Sequence, residues 1–198
     1  MATWTNLPPK RLLLMAVLAG TLWTSLMGVR VFGKGARLAA GALSLVWLGV
    51  VLGISFLEAW VKFRAPLITR AVAVDVGRHV FAAKSYVEKL LYLALVALLA
   101  DAGVRPWGPP FVVPVLMAVV LLQWEWLEPG LEQRARWTIA QAPAEDLPAS
   151  KASLQAEIAE SVMQPVPKRD IHEIFGALEV VKVLVLASLA VWALRGRP

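Results

Sequence analysis

The chain has 198 residues, of which 59% are hydrophobic and 17% are charged, with a net charge of +6 and no cysteine. An ordinary soluble domain has about 45–50% apolar and about 25% charged residues, so this composition argues against one. The lack of cysteine excludes disulfides, thiolate catalysis, zinc–thiolate sites and iron–sulfur clusters within this chain. Most basic residues flank apolar blocks, which is typical of topology control at anionic lipid headgroups. Nucleic acid is therefore not an expected partner.

The first apolar block, residues 12–32, predicts a membrane-spanning helix. Lys10 and Arg11 precede it, as basic residues precede the apolar region of a secretory signal peptide. Because the block is longer than the roughly 7–15 apolar residues of such a peptide, we expect a retained span. Small residues recur at every fourth position, which gives one helix face that a neighbouring helix can approach closely. These residues are Ala16, Gly20, Thr24 and Gly28.

The second block, residues 38–63, predicts another span. It has no charged residue before Glu58, and it contains Gly49 and Gly53 in a G-x-x-x-G pattern that favours close helix packing. Lys62 follows Glu58 by four residues near the end of the block. Pro66 then ends the helix, because proline cannot continue the hydrogen-bond ladder.

Two further spans are predicted at 80–100 and 111–127. Residues 66–79 are too polar for a span and too apolar for a free loop, which indicates an interfacial segment. The turn between the two spans, residues 101–110, is rich in glycine and proline. The span at 111–127 has about the minimum length for crossing the hydrocarbon region. Trp124 and Trp126 close it, as expected of rings at the headgroup level.

Residues 128–170 differ in composition and predict an extramembrane, proline-rich excursion. Within it, residues 150–163 carry a narrow apolar stripe that predicts one short amphipathic helix on the membrane surface. A last span with a basic tail follows at 171–198. The fold prediction is an all-α polytopic bundle of about five transmembrane helices, or four if the first is peripheral. The distribution of basic residues favours an N-terminus on the cytoplasmic side and a C-terminus outside, and the expected location is a bacterial inner membrane.

Motif searches find no catalytic pattern. The sequence has no phosphate-binding P-loop, no G-x-G-x-x-G after a strand, no H-E-x-x-H and no G-x-S-x-G. We therefore assign no catalytic residue and no metal ligand, and the interpretation favours a non-catalytic protein.

Three predicted spans carry an acid and a base at helical spacing. In the second span these are Glu58 and Lys62, with Ser55 on the same stripe; the third has Lys84 and Glu88. The last has Glu179 and Lys182, on a stripe with His172 and Phe175. A charge at the bilayer centre costs at least about 2.5–3.5 kcal/mol, so such groups pair, turn inward or lie near helix ends.

Two interpretations of these charges remain open. In the first, Glu58 and Lys62 form an intrahelical pair, and the other charges anchor helices at the interface or satisfy one another. In the second, Glu58, Glu88, Glu179 and Lys182 form an inward cluster near one end of the bundle that binds or moves something. A pigment or haem ligated by His79 or His172 is a third, weaker hypothesis, and the sequence requires no cofactor.

Several stretches resemble small bacterial multi-span membrane proteins of unassigned function. They are Gly53-Ile-Ser-Phe followed by Val61-Lys-Phe and Ala65-Pro66, then Asp75-Val-Gly-Arg-His-Val-Phe81, then Val87-Glu88, and last His172, Phe175 and Leu178-Glu-Val-Val-Lys182. The resemblance covers about a third of the chain. It implies a shared structural unit and brings no activity.

Together these observations predict a small accessory or assembly subunit of a larger membrane complex, or a homo-oligomer. The expected partners are the lipid bilayer and other membrane protein subunits or a second copy of the chain. The alternative is a carrier or channel for a proton, ion or small solute that uses the inward carboxylates.

Overall fold

The computed structural model describes residues 35–103, 112–147, 149–164 and 170–195. Within these residues 87% are helical and there is no strand, which confirms the all-α prediction. The helices are α1 Ala36–Lys62, α2 Arg70–Asp101, α3 Val112–Leu122, α4 Glu128–Ala140, α5 Ala152–Glu160 and α6 Ile171–Leu194. Two stretches are π-helical, Leu52–Glu58 inside α1 and Gln123–Leu127 between α3 and α4.

In the described part of the chain, two helices are long and apolar enough to cross a membrane. These are α1 and α6, each with a mean hydropathy of 2.2 over its most apolar window. Their 27 and 24 residues give lengths of about 40 and 36 Å, more than the roughly 30 Å of a hydrocarbon core. Only 28% and 33% of those windows are buried, whereas the core helix of a soluble protein is mostly buried.

Of the other expected spans, one lies outside the described residues and one is part of a longer helix. The span expected at 12–32 lies outside the described residues, together with Gly20 and Gly28. The span expected at 80–100 is part of α2, which begins at Arg70 and so includes most of the segment expected to lie at the interface. The hydroxyl of Thr69 accepts a hydrogen bond from the backbone N–H of Val72 and caps this earlier start.

The span expected at 111–127 does not end at its tryptophans. Its backbone continues through the π-helical stretch into α4, so residues 128–140 are helical. Pro129 does not interrupt the chain, because it lies in the first turn of α4, where proline is tolerated. The beginning of the expected excursion is therefore a rigid extension of the bundle.

The short helix expected within 150–163 is present as α5, and side chains attach it to α4. The side-chain amide of Gln155 donates to the carbonyls of Ile139 and Ala142, at 3.1 and 2.9 Å. Arg136 of α4 donates to the hydroxyl of Ser161 at 3.0 Å. The excursion is thus tied to the helix before it.

A close helix approach occurs at Gly41, where α1 packs against the end of α6. A Cβ atom built on Gly41 would lie 2.9 Å from the Cβ of Ala193, so the two backbones meet there with no room for a side chain. By contrast, nothing in the described structure lies within 4 Å of a Cβ built on Gly49 or Gly53. The close contact that the sequence predicted at Gly49 and Gly53 is therefore absent between the described helices.

Polar and apolar side chains are distributed in an unusual way across the bundle. Several lysines and carboxylates lie buried between the helices, while large apolar side chains cover the outward faces of α1 and α6. The outward residues of α1 are Leu38, Leu45, Val46, Leu52, Phe56, Leu57, Trp60 and Val61. Those of α6 are Ile174, Val180, Val181, Leu184, Val191 and Leu194.

Candidate functional site, a buried ion-pair tetrad

Two lysines and two glutamates meet between α2 and α6. These are Lys84 and Glu88 of α2 and Glu179 and Lys182 of α6, with exposed fractions of 2, 5, 1 and 0%; we call them the tetrad. The spacing places each acid and base of a helix on the same face, which turns toward the other helix. Glu179 and Lys182 are the ninth and twelfth of the 24 residues of α6, so the tetrad lies near mid-helix.

The four charged groups form a closed ring of ion pairs. The ammonium of Lys182 lies 2.8 and 3.0 Å from the two carboxylate oxygens of Glu88 and 2.8 Å from Oε1 of Glu179. The ammonium of Lys84 lies 2.7 Å from Oε2 of Glu179 and 3.3 Å from Oε2 of Glu88. Each lysine therefore contacts both acids, and the formal charge of the ring is zero.

Neutral side chains from two other elements complete the hydrogen bonding of the ring. The indole N–H of Trp47 in α1 donates to Oε1 of Glu88 at 2.9 Å. Ser55, also in α1, donates to Oε2 of Glu179 at 2.6 Å, and Gln123 donates to Oε1 of Glu179 at 2.7 Å. Three of the four carboxylate oxygens of the tetrad thus accept from two donors, and Oε2 of Glu88 accepts from Lys182 and lies 3.3 Å from the ammonium of Lys84.

Both π-helical stretches in the described part of the chain contribute to this site. Ser55 lies in the first and Gln123 begins the second. A π-helical turn changes the direction in which the following side chains point relative to a regular α-helix, and such turns are frequent at functional sites. Here both turns bring a polar side chain to Glu179.

The pairing of the tetrad is what makes its burial possible. An isolated ion in a low-dielectric interior loses several kcal/mol of hydration, and good geometry with additional hydrogen bonds is needed to offset this loss. The ring provides both. Four structural elements converge on it, so it also fixes the position of α1 and of the Gln123 turn relative to α2 and α6.

A second pair of charges lies outside the ring. Glu58 accepts a hydrogen bond from Lys62 at 3.1 Å, as the intrahelical interpretation predicts. The Lys62 side chain lies over Gly77 of α2, where there is no Cβ to block it. Its ammonium is 5.5 Å from the ring centre of Phe81, and the ammonium of Lys84 is 5.8 Å from the same ring centre. Phe81 therefore lies close to both the outer pair and the tetrad.

The structure brings together three of the predicted site residues, Glu88, Glu179 and Lys182. It differs from the predicted cluster in two ways: Glu58 pairs with Lys62, and the cluster lies near mid-helix and not at an end. The cluster also contains Lys84 and Gln123, which the sequence did not mark as candidates. The helical spacing of Lys84 and Glu88 marks the first as one half of an acid–base pair, whereas no pattern points to Gln123.

The two histidines lie at the surface, away from this ring. His79 has a half-exposed side chain, and its Nδ1 lies 2.9 Å from the backbone oxygen of Asp75. His172 is exposed at the start of α6, although Phe175, Glu179 and Lys182 of its predicted stripe are buried. Among the described residues, no group of three or more histidines and carboxylates is placed to hold a metal ion.

Comparisons with protein-family models, with curated proteins and with solved structures find no match to this chain. The resemblance to small bacterial multi-span proteins consequently stays a prediction. Any functional assignment rests on the geometry of the tetrad and on the outward faces of the helices.

Proposed function

We propose that this chain is a non-catalytic integral membrane protein that acts as an assembly subunit of a larger membrane complex or as a homo-oligomer. The observation that supports it best is the placement of the tetrad at the centre of the bundle, under outward faces rich in large apolar side chains. Lipid, or the apolar surface of another membrane protein, is the environment that suits such faces.

The proposed topology is a polytopic bundle of about five spans in a bacterial inner membrane. The two helices of sufficient length and apolarity support membrane insertion. α2 would cross with Lys84 and Glu88 turned inward, where the tetrad satisfies them, and with Lys89 paired to Glu128 of α4. A helix that contains charged residues can cross in this way because paired ions avoid most of the cost of desolvation.

The contact surface we propose is the outer face of α1, formed by Leu45, Val46, Gly49, Leu52, Gly53 and Phe56. These residues recur at helical spacing, and the four large ones are exposed. Two glycines four residues apart make a shallow groove in which a second helix can pack closely. No described residue fills the space above either glycine, which leaves this groove accessible to a partner.

Purification from native membranes in mild detergent tests this proposal. Gly49→Leu and Gly53→Leu should release the chain from its assembly, so that its mass falls to that of the 21.6 kDa monomer with bound detergent. Gly176→Leu is the matched control, because this glycine of α6 also has open space above it. Retention of the assembly in both groove variants would contradict the proposed surface.

The alternative is a carrier or channel for a proton, an ion or a small solute. Its supporting observation is the row of ionisable groups that runs from Glu58 and Lys62, past Phe81, to the tetrad. Such a row inside a membrane is a candidate pathway. Against it stands the saturated hydrogen bonding of the tetrad, because moving an ion through it would first require breaking several short contacts.

Flux measurements in proteoliposomes separate the two proposals. A carrier should lose its flux in Glu58→Gln and in Glu179→Gln while both variants remain inserted. An assembly subunit should show no flux even as wild type, and Glu58→Gln should leave its assembly intact.

A further inference from the structure

A cavity of about 570 Å³ opens where the start of α1 meets the end of α6. Its lining combines two arginines with an apolar wall. The close contact of Gly41 with Ala193 holds the two helix ends together at this point. The lining residues are Arg37, Ala187, Ser188, Val191, Trp192 and Arg195.

Arg37 is fixed in place by Trp192. Its guanidinium carbon lies 4.1 Å from the centre of the indole ring, and Nη2 donates to the backbone oxygen of Trp192 at 2.8 Å. These contacts hold the guanidinium in one orientation at the cavity wall. A pre-oriented guanidinium loses less conformational freedom when it binds an anion than a mobile one does.

The guanidinium has donor capacity that the described structure does not use. Its Nε atom is buried and has no hydrogen-bond partner among the described residues. Arg195 adds a second positive charge to the same cavity from the end of α6. Two guanidinium groups at one cavity favour a phosphate oxygen as acceptor, because this pairing is charge-assisted and can be bidentate.

The rest of the lining suits a lipid better than a free anion. Ala187 and Val191 supply an apolar wall on the outward side of α6, next to the exposed face that we propose to contact lipid. Trp192 is of the residue type that prefers the headgroup level of a bilayer. The cavity thus offers a polar end for a phosphate and an apolar wall for an acyl chain.

We propose that Arg37 and Arg195, together with Trp192, bind the phosphate headgroup of an anionic phospholipid in this cavity. This inference rests on the proposed membrane location, but not on the proposed assembly surface. The lipid would bridge the beginning of α1 and the end of α6. A lipid with net negative charge is preferred, because a zwitterionic headgroup carries its own cation to offset the phosphate.

Binding of added lipids to the full-length protein in mild detergent, measured by native mass spectrometry, tests the site. Phosphatidylglycerol should bind about tenfold or more tightly than phosphatidylcholine with the same acyl chains, which is the size expected of one charge-assisted hydrogen bond. Arg37→Gln and Arg195→Gln should each remove most of this preference. Because Arg195 is exposed, its replacement tests the site even if Arg37→Gln fails to fold.

Arg64→Gln is the matched control. Arg64 also lies over a tryptophan ring, 4.0 Å from the centre of Trp60, so the variant loses the same charge from the same kind of pair just beyond the end of α1. The control should keep the preference for phosphatidylglycerol. An equal loss in Arg64→Gln, or an unchanged preference in Arg195→Gln, would overturn the proposal.

Inorganic phosphate distinguishes a lipid site from a general anion site. If the acyl chains contribute to binding, inorganic phosphate should displace bound phosphatidylglycerol only weakly. A lipid site would be refuted if phosphate displaced the bound lipid as effectively as excess phosphatidylglycerol does. A chain that keeps its assembly but shows no headgroup preference would overturn this inference and leave the proposed function standing.

Discussion

At the scale of single residues, the tetrad makes Glu179 the side chain whose charge matters most to stability. Its carboxylate accepts from both lysines, Ser55 and Gln123. Glu179→Gln would leave two buried ammonium groups facing a single carboxylate. We expect a loss of roughly 3 kcal/mol or more in the free energy of unfolding, as for other broken buried pairs. Denaturant unfolding in detergent micelles, followed by circular dichroism, measures this loss.

Glu157→Gln provides the control for that measurement. Glu157 is exposed on α5, so the same change of charge should alter stability by no more than about 0.5 kcal/mol. Similar losses in the two variants would show that the tetrad charges are not coupled to folding.

A second variant tests whether the ring acts as a unit. Lys84→Met combined with Glu179→Gln removes one charge of each sign and leaves Lys182 paired with Glu88 at 2.8 Å. The double variant should therefore be less destabilised than the sum of the two single variants, by about 0.5–3 kcal/mol. Strict additivity in the same unfolding assay would contradict the closed ring.

The residues of the ring could be predicted only in part from the sequence. Glu88, Glu179 and Lys182 stand out because charges are costly in apolar helices, and their helical spacing places acid and base on one face. Gln123 carries no charge and Trp47 is one of nine tryptophans, so neither is distinguishable before the helices are assembled. Their contacts with Glu179 and Glu88 depend on the packing of α1 and the Gln123 turn.

At the scale of helices, two glycines of α1 have opposite surroundings and should respond in opposite ways to the same substitution. Gly41→Ala would place a Cβ 2.9 Å from that of Ala193, which forces α1 and α6 apart. Overpacking of this kind typically costs about 1–3 kcal/mol. Gly49→Ala meets no described atom within 4 Å and should gain up to about 1 kcal/mol from better helix propensity.

Thermal unfolding of the two variants in the same detergent compares them directly. The melting temperature should fall for Gly41→Ala and should stay equal or rise for Gly49→Ala. A lower melting temperature for Gly49→Ala alone would contradict the assignment of the close contact between α1 and α6 to Gly41.

The helix boundaries show which features the hydropathy pattern predicts and which it does not. Hydropathy predicted the second and last spans closely, because their apolar runs are long and the proline after α1 ends it. It divided α2 into an interfacial segment and a span, since it could not anticipate that Thr69 caps the helix. It also missed both π-helical stretches, because a local change in helical period leaves no trace in an apolar pattern.

At the scale of the whole molecule, the described part of the bundle encloses the tetrad beside an apolar core and carries large apolar residues on its outward faces. This distribution suits the proposed membrane location, because in the low dielectric of a membrane apolar faces need no protein cover and ions must be paired. The proposed topology places the α4–α5 region in the cytoplasm and the end of α6 outside. The same topology places the proposed phospholipid site, at the start of α1 and the end of α6, in the outer leaflet.

The absence of cysteine makes this topology directly testable, because any introduced thiol is the only one in the chain. Ser153→Cys, on the exposed surface of α5, should react with a membrane-impermeant maleimide only after the membrane is opened. Arg197→Cys, in the basic tail, should react in intact cells. The maleimide is charged and cannot cross the hydrocarbon region, so each reaction reports the side on which its residue lies. Labelling of both positions under the same condition would place them on the same side of the membrane, with an even number of spans between them. This result would eliminate the arrangement in which α6 alone crosses the membrane after the excursion.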